Sequence, residues 1–223
     1  MGISIDDWHK RISSRTDLTG RITHLTKPSE AVTPGMSFED INIKAVDNLI
    51  NILKNQKING STTKSGYIVG NKKAVCFQDA PLYALIQNVE HEKYRRDNNP
   101  QEKLRYCGVG LSFIKSDVYW HYGGRPVIYE KTDIAKQFLP QEEWWRIVNY
   151  EFKHDEKQKN WDVIDWTHER EWRVPGDMEF QFDKGYVHVV LYNPACFKYF
   201  LKECPPEIVN KLWGITTLTS VLM

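Results

Sequence analysis

Hydrophobic positions in this chain recur with two different periods, and the periods divide it into elements. From Phe38 to Asn55 the apolar residues Ile41, Ala45, Leu49, Ile52 and Leu53 return at helical spacing. At about 1.5 Å rise per residue this predicts an amphipathic helix of about four turns. Upstream, Arg21-Ile22-Thr23-His24-Leu25-Thr26 alternates with period two and places Ile22, His24 and Thr26 on one face of a short strand. Ala74-Val75-Cys76-Phe77 reads as a short buried strand, and Asp79-Ala80-Pro81 as the start signal of a helix over 82–89. The charged stretch 90–103 then reads as a solvated face or loop. Strands are expected over 106–114 and 127–130, around the turn at Gly123-Gly124. A helix over 133–150, a polar loop over 153–162, strands over 168–174 and 186–192, and a helix over 194–203 complete the pattern. Short strands with flanking helices and few regular βαβ units indicate an α+β protein, read here as a single domain over residues 1–223.

Composition narrows the class. In 223 residues the chain is 41% hydrophobic and carries eight tryptophans, enough for a substantial core. Thirty basic residues against 29 acidic ones leave a net charge of +1, so nothing global draws the chain to nucleic acid, although a local basic groove is compatible with that balance. Cys76, Cys107, Cys196 and Cys204 form neither a CxxC pair nor a zinc spacing and read as thiols of a reducing compartment. The N-terminus does not resemble a signal peptide, and no run approaches the roughly 20 apolar residues of a membrane span. A cytoplasmic protein with no membrane association is expected.

The candidate chemistry concentrates in Trp166-Thr167-His168-Glu169-Arg170-Glu171-Trp172-Arg173-Val174-Pro175. On an extended strand Glu169 and Glu171 share a face, with Arg170, Trp172 and Val174 on the other. Paired carboxylates suit the stabilisation of a cationic centre or the removal of a proton. The plainer reading is an exposed Glu-x-Glu neutralised by Arg170 or Arg173. His24 can donate to a ribose hydroxyl or a carbonyl, but a lone histidine is more often structural. The strand–helix junction from Cys76 to Tyr83 can cradle a flat polar ligand, or can simply pack Phe77 and use Asp79 as a helix cap. Gly123-Gly124-Arg125-Pro126 would let a backbone approach a phosphate beside a forked cation, though such glycine pairs are usually turns. Basic and aromatic residues interleave at Lys93-Tyr94-Arg95-Arg96 and Lys103-Leu104-Arg105-Tyr106, as single-strand binding would use or as a solvated helix face would carry. Walker, Rossmann and zinc-protease signatures are absent.

Taken in order, Thr23-His24-Leu25-Thr26, Val75-Cys76-Phe77-Gln78-Asp79-Ala80-Pro81-Leu82-Tyr83 and Arg170-Glu171-Trp172-Arg173-Val174-Pro175 resemble the ADP-ribosyltransferases, in particular DarT-type toxins that modify nucleic acid. The Glu-x-Glu-Trp-Arg pattern is also similar to that of AbiG-type abortive-infection proteins. The resemblance spans roughly residues 20–192 in short motifs separated by unmatched segments. It implies an ADP-ribosyltransferase-like fold of two small packed antiparallel or mixed sheets with flanking helices. NAD would be a co-substrate and no metal would be needed. It makes Glu171 the catalytic carboxylate, with Glu169 the alternative. His24, with Thr26 in the same motif, would hold the NAD ribose or carboxamide, and Phe77 and Tyr83 would line the nicotinamide pocket. The DarT-type toxins carry an arginine before the second motif. Here residues 67–73 offer only lysines, which leaves Arg125 or Arg15 as substitutes. The implied acceptor is nucleic acid, DNA or RNA, with a cognate antitoxin as a further partner. Two other readings stand beside this one: a non-catalytic antitoxin or sensor on a degenerate transferase fold, and a metal-dependent nuclease using Glu169, Glu171 and Asp162 or Asp165.

Overall fold

The computed structural model describes residues 2–156 and 159–222, which gather into two compact units. One comprises Met1–Lys57, Gln78–Asp117 and Glu179–Met223; the other comprises Ile58–Phe77 and Val118–Met178. Helices flank strands throughout, around one main mixed sheet with parallel and antiparallel pairs where two small packed sheets were expected. Among the described residues no helix is long and apolar enough to cross a membrane.

In the first unit the strand Arg21–Leu25 runs antiparallel to Gly110–Ile114, in register from Arg21 opposite Ile114 to Leu25 opposite Gly110. His188–Leu191 pairs antiparallel with the far side of Gly110–Ile114, and Gly214–Thr217 closes the order in parallel. Only glycine fits at 110, because a Cβ there would lie 2.0 Å from the His24 carbonyl oxygen. Ile22, Leu111, Phe113, Val189 and Leu191 are buried. The helix Phe38–Asn55 forms over the expected residues. Ser37 caps it by accepting from the Asp40 N–H at 3.1 Å, and it ends at Gln56 in the left-handed region.

The polar N-terminus contains the helix Ile5–Ser13, capped by Ser4. Several expectations in this unit are corrected. The helix expected over 82–89 runs from Leu82 to Asn98, into the stretch read as a solvated face or loop. Glu92 is buried there and accepts from Arg105 Nε at 2.5 Å, while buried Arg96 donates to the Thr33 carbonyl at 2.7 Å. Glu92 and Arg96 thus turn inward, while His91, Tyr94 and Asp97 form the solvated face that was expected. Asp79 does not cap this helix. It pairs with Lys115 at 2.6 Å, and Pro81 holds the cap position without a side-chain bond. The strand expected over 106–114 narrows to Gly110–Ile114.

In the second unit the strand order is Ala74–Gln78, Glu171–Pro175, Arg125–Pro126, the last pair antiparallel with Trp172 opposite Pro126 and Arg173 opposite Arg125. Ile68, Ala74 and Trp145 form a buried cluster against which Cys76 packs. The helix expected over 133–150 is three elements: a helix Thr132–Phe138, a 3₁₀ turn Gln141–Arg146, and a strand Ile147–Asn149 parallel to Ile128–Glu130. Pro140 supplies the break, since it cannot donate into a continuing helix and disfavours helical backbone just before it. The loop expected over 153–162 is a hairpin of Glu151–Asp155 and Asn160–Ile164, with residues 157 and 158 of that expectation outside the described residues.

Candidate functional site

The strand expected over 168–174 begins only at Glu171. Thr167–Glu169 is a 3₁₀ turn, and Arg170 follows it with φ 44°, a left-handed conformation costly for a residue with a Cβ. Glu169 and Glu171 therefore do not share a strand face. The residue that shares the face of Glu171 is Arg173, two positions on.

Glu171 and Arg173 form a buried, two-pronged ion pair. Arg173 Nε donates to Glu171 Oε1 at 2.7 Å and Nη2 to Oε2 at 3.1 Å, with the two residues 2% and 7% exposed. The guanidinium is used further: Nη1 donates to the carbonyls of Trp145 at 2.7 Å and Ile147 at 3.0 Å, and Nη2 to that of Tyr67 at 3.4 Å. Burial alone would pull the Arg173 pKa down, but the Glu171 charge beside it leaves it raised. The backbone of Glu171 is fixed as well. Its N–H donates to the Tyr129 phenol oxygen at 2.7 Å, and its carbonyl accepts from Val127 N–H at 3.0 Å.

Two other titratable groups complete this cluster. Burial first, and the Glu171 charge second, push the Cys76 thiol well up, and the thiol also hydrogen-bonds Glu171. It stays protonated at neutral pH and is no nucleophile. Burial likewise raises the Tyr129 phenol, with Glu171 and Glu169 adding to the effect. Arg173 was visible in the sequence as a possible neutraliser. Tyr129, 42 positions away in the chain, had no local signal.

The remaining predicted residues fall as follows. Glu169 is half-buried in its 3₁₀ turn, and Phe77 is wholly buried in the same unit. Arg125 stacks its guanidinium 4.0 Å from the Tyr119 ring centre. In the other unit, His24 is half-buried on the face of Ile22. Thr26 is buried, its hydroxyl accepting from Asn48 Nδ2 at 2.8 Å, which ties the strand end to the helix Phe38–Asn55. Tyr83 is exposed on the first turn of its helix. Arg15, the other substitute arginine, is engaged by Asp17 through both Nε and Nη2. Asp162 is exposed on the hairpin, and Asp165 is held below the usual carboxylate range by the Thr167 hydroxyl and N–H. Among the described residues no group of three or more His, Cys, Asp or Glu is placed to hold a metal ion. Comparison with protein-family models, with curated proteins and with solved structures gives no match.

Proposed function

We propose that this chain is an NAD⁺-dependent mono-ADP-ribosyltransferase of ADP-ribosyltransferase-like fold, acting on nucleic acid, with Glu171 as its catalytic carboxylate. The observation that carries the reading is the fixing of Glu171: both carboxylate oxygens are oriented by Arg173, and its backbone is pinned on both sides. A group that need not reorganise as charge develops is what transition-state stabilisation requires. An ionised carboxylate offers about four acceptor positions, of which Arg173 takes two and the Cys76 thiol one, so one is left for a ribose hydroxyl. In the reaction the nicotinamide–ribose C–N bond breaks and its electron pair leaves with nicotinamide. Positive charge on the sugar is offset by Glu171. An acceptor nucleophile then bonds to C1′ and gives up its proton to a general base. The NAD-holding roles implied for His24, Thr26, Phe77 and Tyr83, the cytoplasmic location and a neutralising antitoxin belong to the same proposal, whereas Arg125, implied as a substitute for the missing arginine of the NAD site, is stacked on Tyr119 and is left out of it.

One observation favours a second reading, a non-catalytic antitoxin or sensor. Arg173 also stitches three carbonyls together, so the ion pair doubles as a structural strut.

The test is incubation of the purified chain with labelled NAD⁺ and DNA, RNA or lysate in the presence of EDTA. Expected is label transfer that disappears in Glu171→Gln when compared at equal folded fraction. A wild-type chain that neither transfers label nor consumes NAD⁺ would refute the transferase and leave the second reading. Nucleic acid cleavage only after Mg²⁺ is restored would favour a nuclease.

A further inference from the structure

Exposed aromatic rings occur at several places on the molecule, and their charge surroundings separate them. On the hairpin Glu151–Asp155 and Asn160–Ile164, Phe152 and Trp161 are exposed, but Asp162 flanks Trp161, and the lysine beside Phe152, Lys153, is spent on Glu151. The basic and aromatic stretches around Tyr94 and Tyr106 have spent their cations: Arg105 and Arg95 pair with Glu92, Arg95 also with Glu102, Lys93 with Asp97, and Arg96 is buried. A different setting occurs from Val118 to Tyr129, a stretch bounded by Asp117 and Glu130 and itself without acidic residues, as 208–223 around Trp213 also is; here an arginine, Arg125, stands among the rings of Tyr119, Trp120 and Tyr122.

Within that segment the geometry is built in layers. Trp120 is 78% exposed and meets Tyr119, 38% exposed, edge to face at 5.5 Å. The Arg125 guanidinium lies over Tyr119, with Nη1 anchored on the carbonyls of Tyr119 at 3.1 Å and Gly124 at 2.8 Å. Gly123, at φ 68°, makes the turn that folds Arg125 back. Among the described residues Nε and Nη2 of Arg125 take no acceptor, so a fixed cation presents two donors beside an open indole face. The segment lies next to the candidate carboxylate in the sheet, because Arg125 stands opposite Arg173, two residues from Glu171 on the same strand face.

We infer that Tyr119, Trp120 and Arg125 form the docking surface for a single-stranded nucleic acid, a base stacking on Trp120 and a phosphate meeting Arg125. Stacking on an aromatic beside a fixed cation is sequence-tolerant and selects unpaired bases, since a duplex keeps its faces hidden. This deepens the transferase reading by naming where the acceptor is held. It rests on that reading for the acceptor's fate, but binding itself does not depend on it.

The experiment is fluorescence anisotropy without NAD⁺, using labelled single strands of DNA and of RNA and the matching duplex, at low and at physiological salt. Expected is preference for single strand over duplex, a loss of about tenfold or more in Trp120→Ala with most affinity kept in Trp120→Phe, and a salt slope reduced by about one in Arg125→Ala. Trp161→Ala and Trp213→Ala, which remove other exposed indoles, should bind as wild type. A preference between DNA and RNA strands names the acceptor. The inference is overturned if no strand binds, if Trp120→Ala binds as tightly as wild type, or if Trp213→Ala weakens binding equally. Label transfer to an oligonucleotide with undiminished binding by Trp120→Ala would sink this surface and leave the transferase. Trp120-dependent binding with no NAD⁺ turnover would do the reverse.

Discussion

Replacing Arg173 by methionine removes five donor contacts from a buried site: two to Glu171 and one each to the carbonyls of Trp145, Ile147 and Tyr67. Two costs follow. Stranding the Glu171 carboxylate without its cation costs about 3–5 kcal/mol, the usual penalty for breaking a buried pair from one side. Leaving buried carbonyls without a donor adds about 1–3 kcal/mol for each that finds no water. The second cost is common to Arg173→Met and to the double variant Glu171→Leu/Arg173→Met; the first is absent from the double variant. Adding Glu171→Leu to Arg173→Met is therefore expected to restore about 3 kcal/mol, although each change alone destabilises. Urea unfolding of the wild type, both single variants and the double, followed by circular dichroism, gives the cycle directly. If the second substitution destabilises further, so that the two losses add, the pair is not coupled as the distances require. The same logic applies to Glu171→Gln. A strand-surface glutamate would tolerate the amide, but a buried one facing Arg173 should lose about 3 kcal/mol, so activity must be compared at equal folded fraction.

Tyr129→Phe removes the acceptor of the Glu171 N–H and should cost about 1–2 kcal/mol in thermal or urea unfolding, with transfer activity falling more steeply than stability. Trp172 is half-buried; Trp172→Ala should cost about 2 kcal/mol instead of the roughly 3–5 kcal/mol of a core tryptophan, as chemical denaturation will measure. His188 has its pKa lowered, by burial first and by Arg21 second, and its Nε2 lies 2.8 Å from the Thr216 hydroxyl. The unfolded chain therefore binds the proton more readily, and stability should be full above the unfolded value of about 6.5 and fall as pH drops through it toward the folded value. Urea midpoints across that range should flatten in His188→Gln; an unchanged pH profile would remove His188 as the cause. Gly110→Ala should lose about 3 kcal/mol or fail to fold, because its methyl meets the His24 carbonyl.

The elements legible in the sequence were those whose signals are local. Ser37 and the apolar repeat set the helix Phe38–Asn55, and Asn193-Pro194 set the start of the helix Pro194–Glu203, with Asn193 accepting from the Cys196 N–H. Pro140 is a local break signal too, inside the segment read as one helix over 133–150. What escaped depends on partners distant in the chain. Glu92 is buried because Arg105 reaches it from 13 residues on, and periodicity cannot distinguish that from a solvated charge. The candidate site was half legible. Glu171 and Arg173 stand two apart and could be paired on paper, whereas Tyr129 and the carbonyls of Trp145, Ile147 and Tyr67 come from segments distant in the chain. The left-handed Arg170 was invisible because a non-glycine residue carries no mark of positive φ.

That one backbone kink has a consequence for how the chain tolerates length changes. Arg170 ends the turn Thr167–Glu169 and lets the strand start afresh at Glu171, so pairing with Arg125–Pro126 sets the phase from Glu171 onward. An insertion or deletion before Arg170 can be absorbed in the loop without rotating Glu171. A single-residue change after it exchanges the two faces of the strand, turning the carboxylate and guanidinium out and the indole of Trp172 in. Length variation should therefore be permitted up to residue 169 and forbidden from 171 to 175, a sharp boundary that a deletion scan can map to one peptide bond.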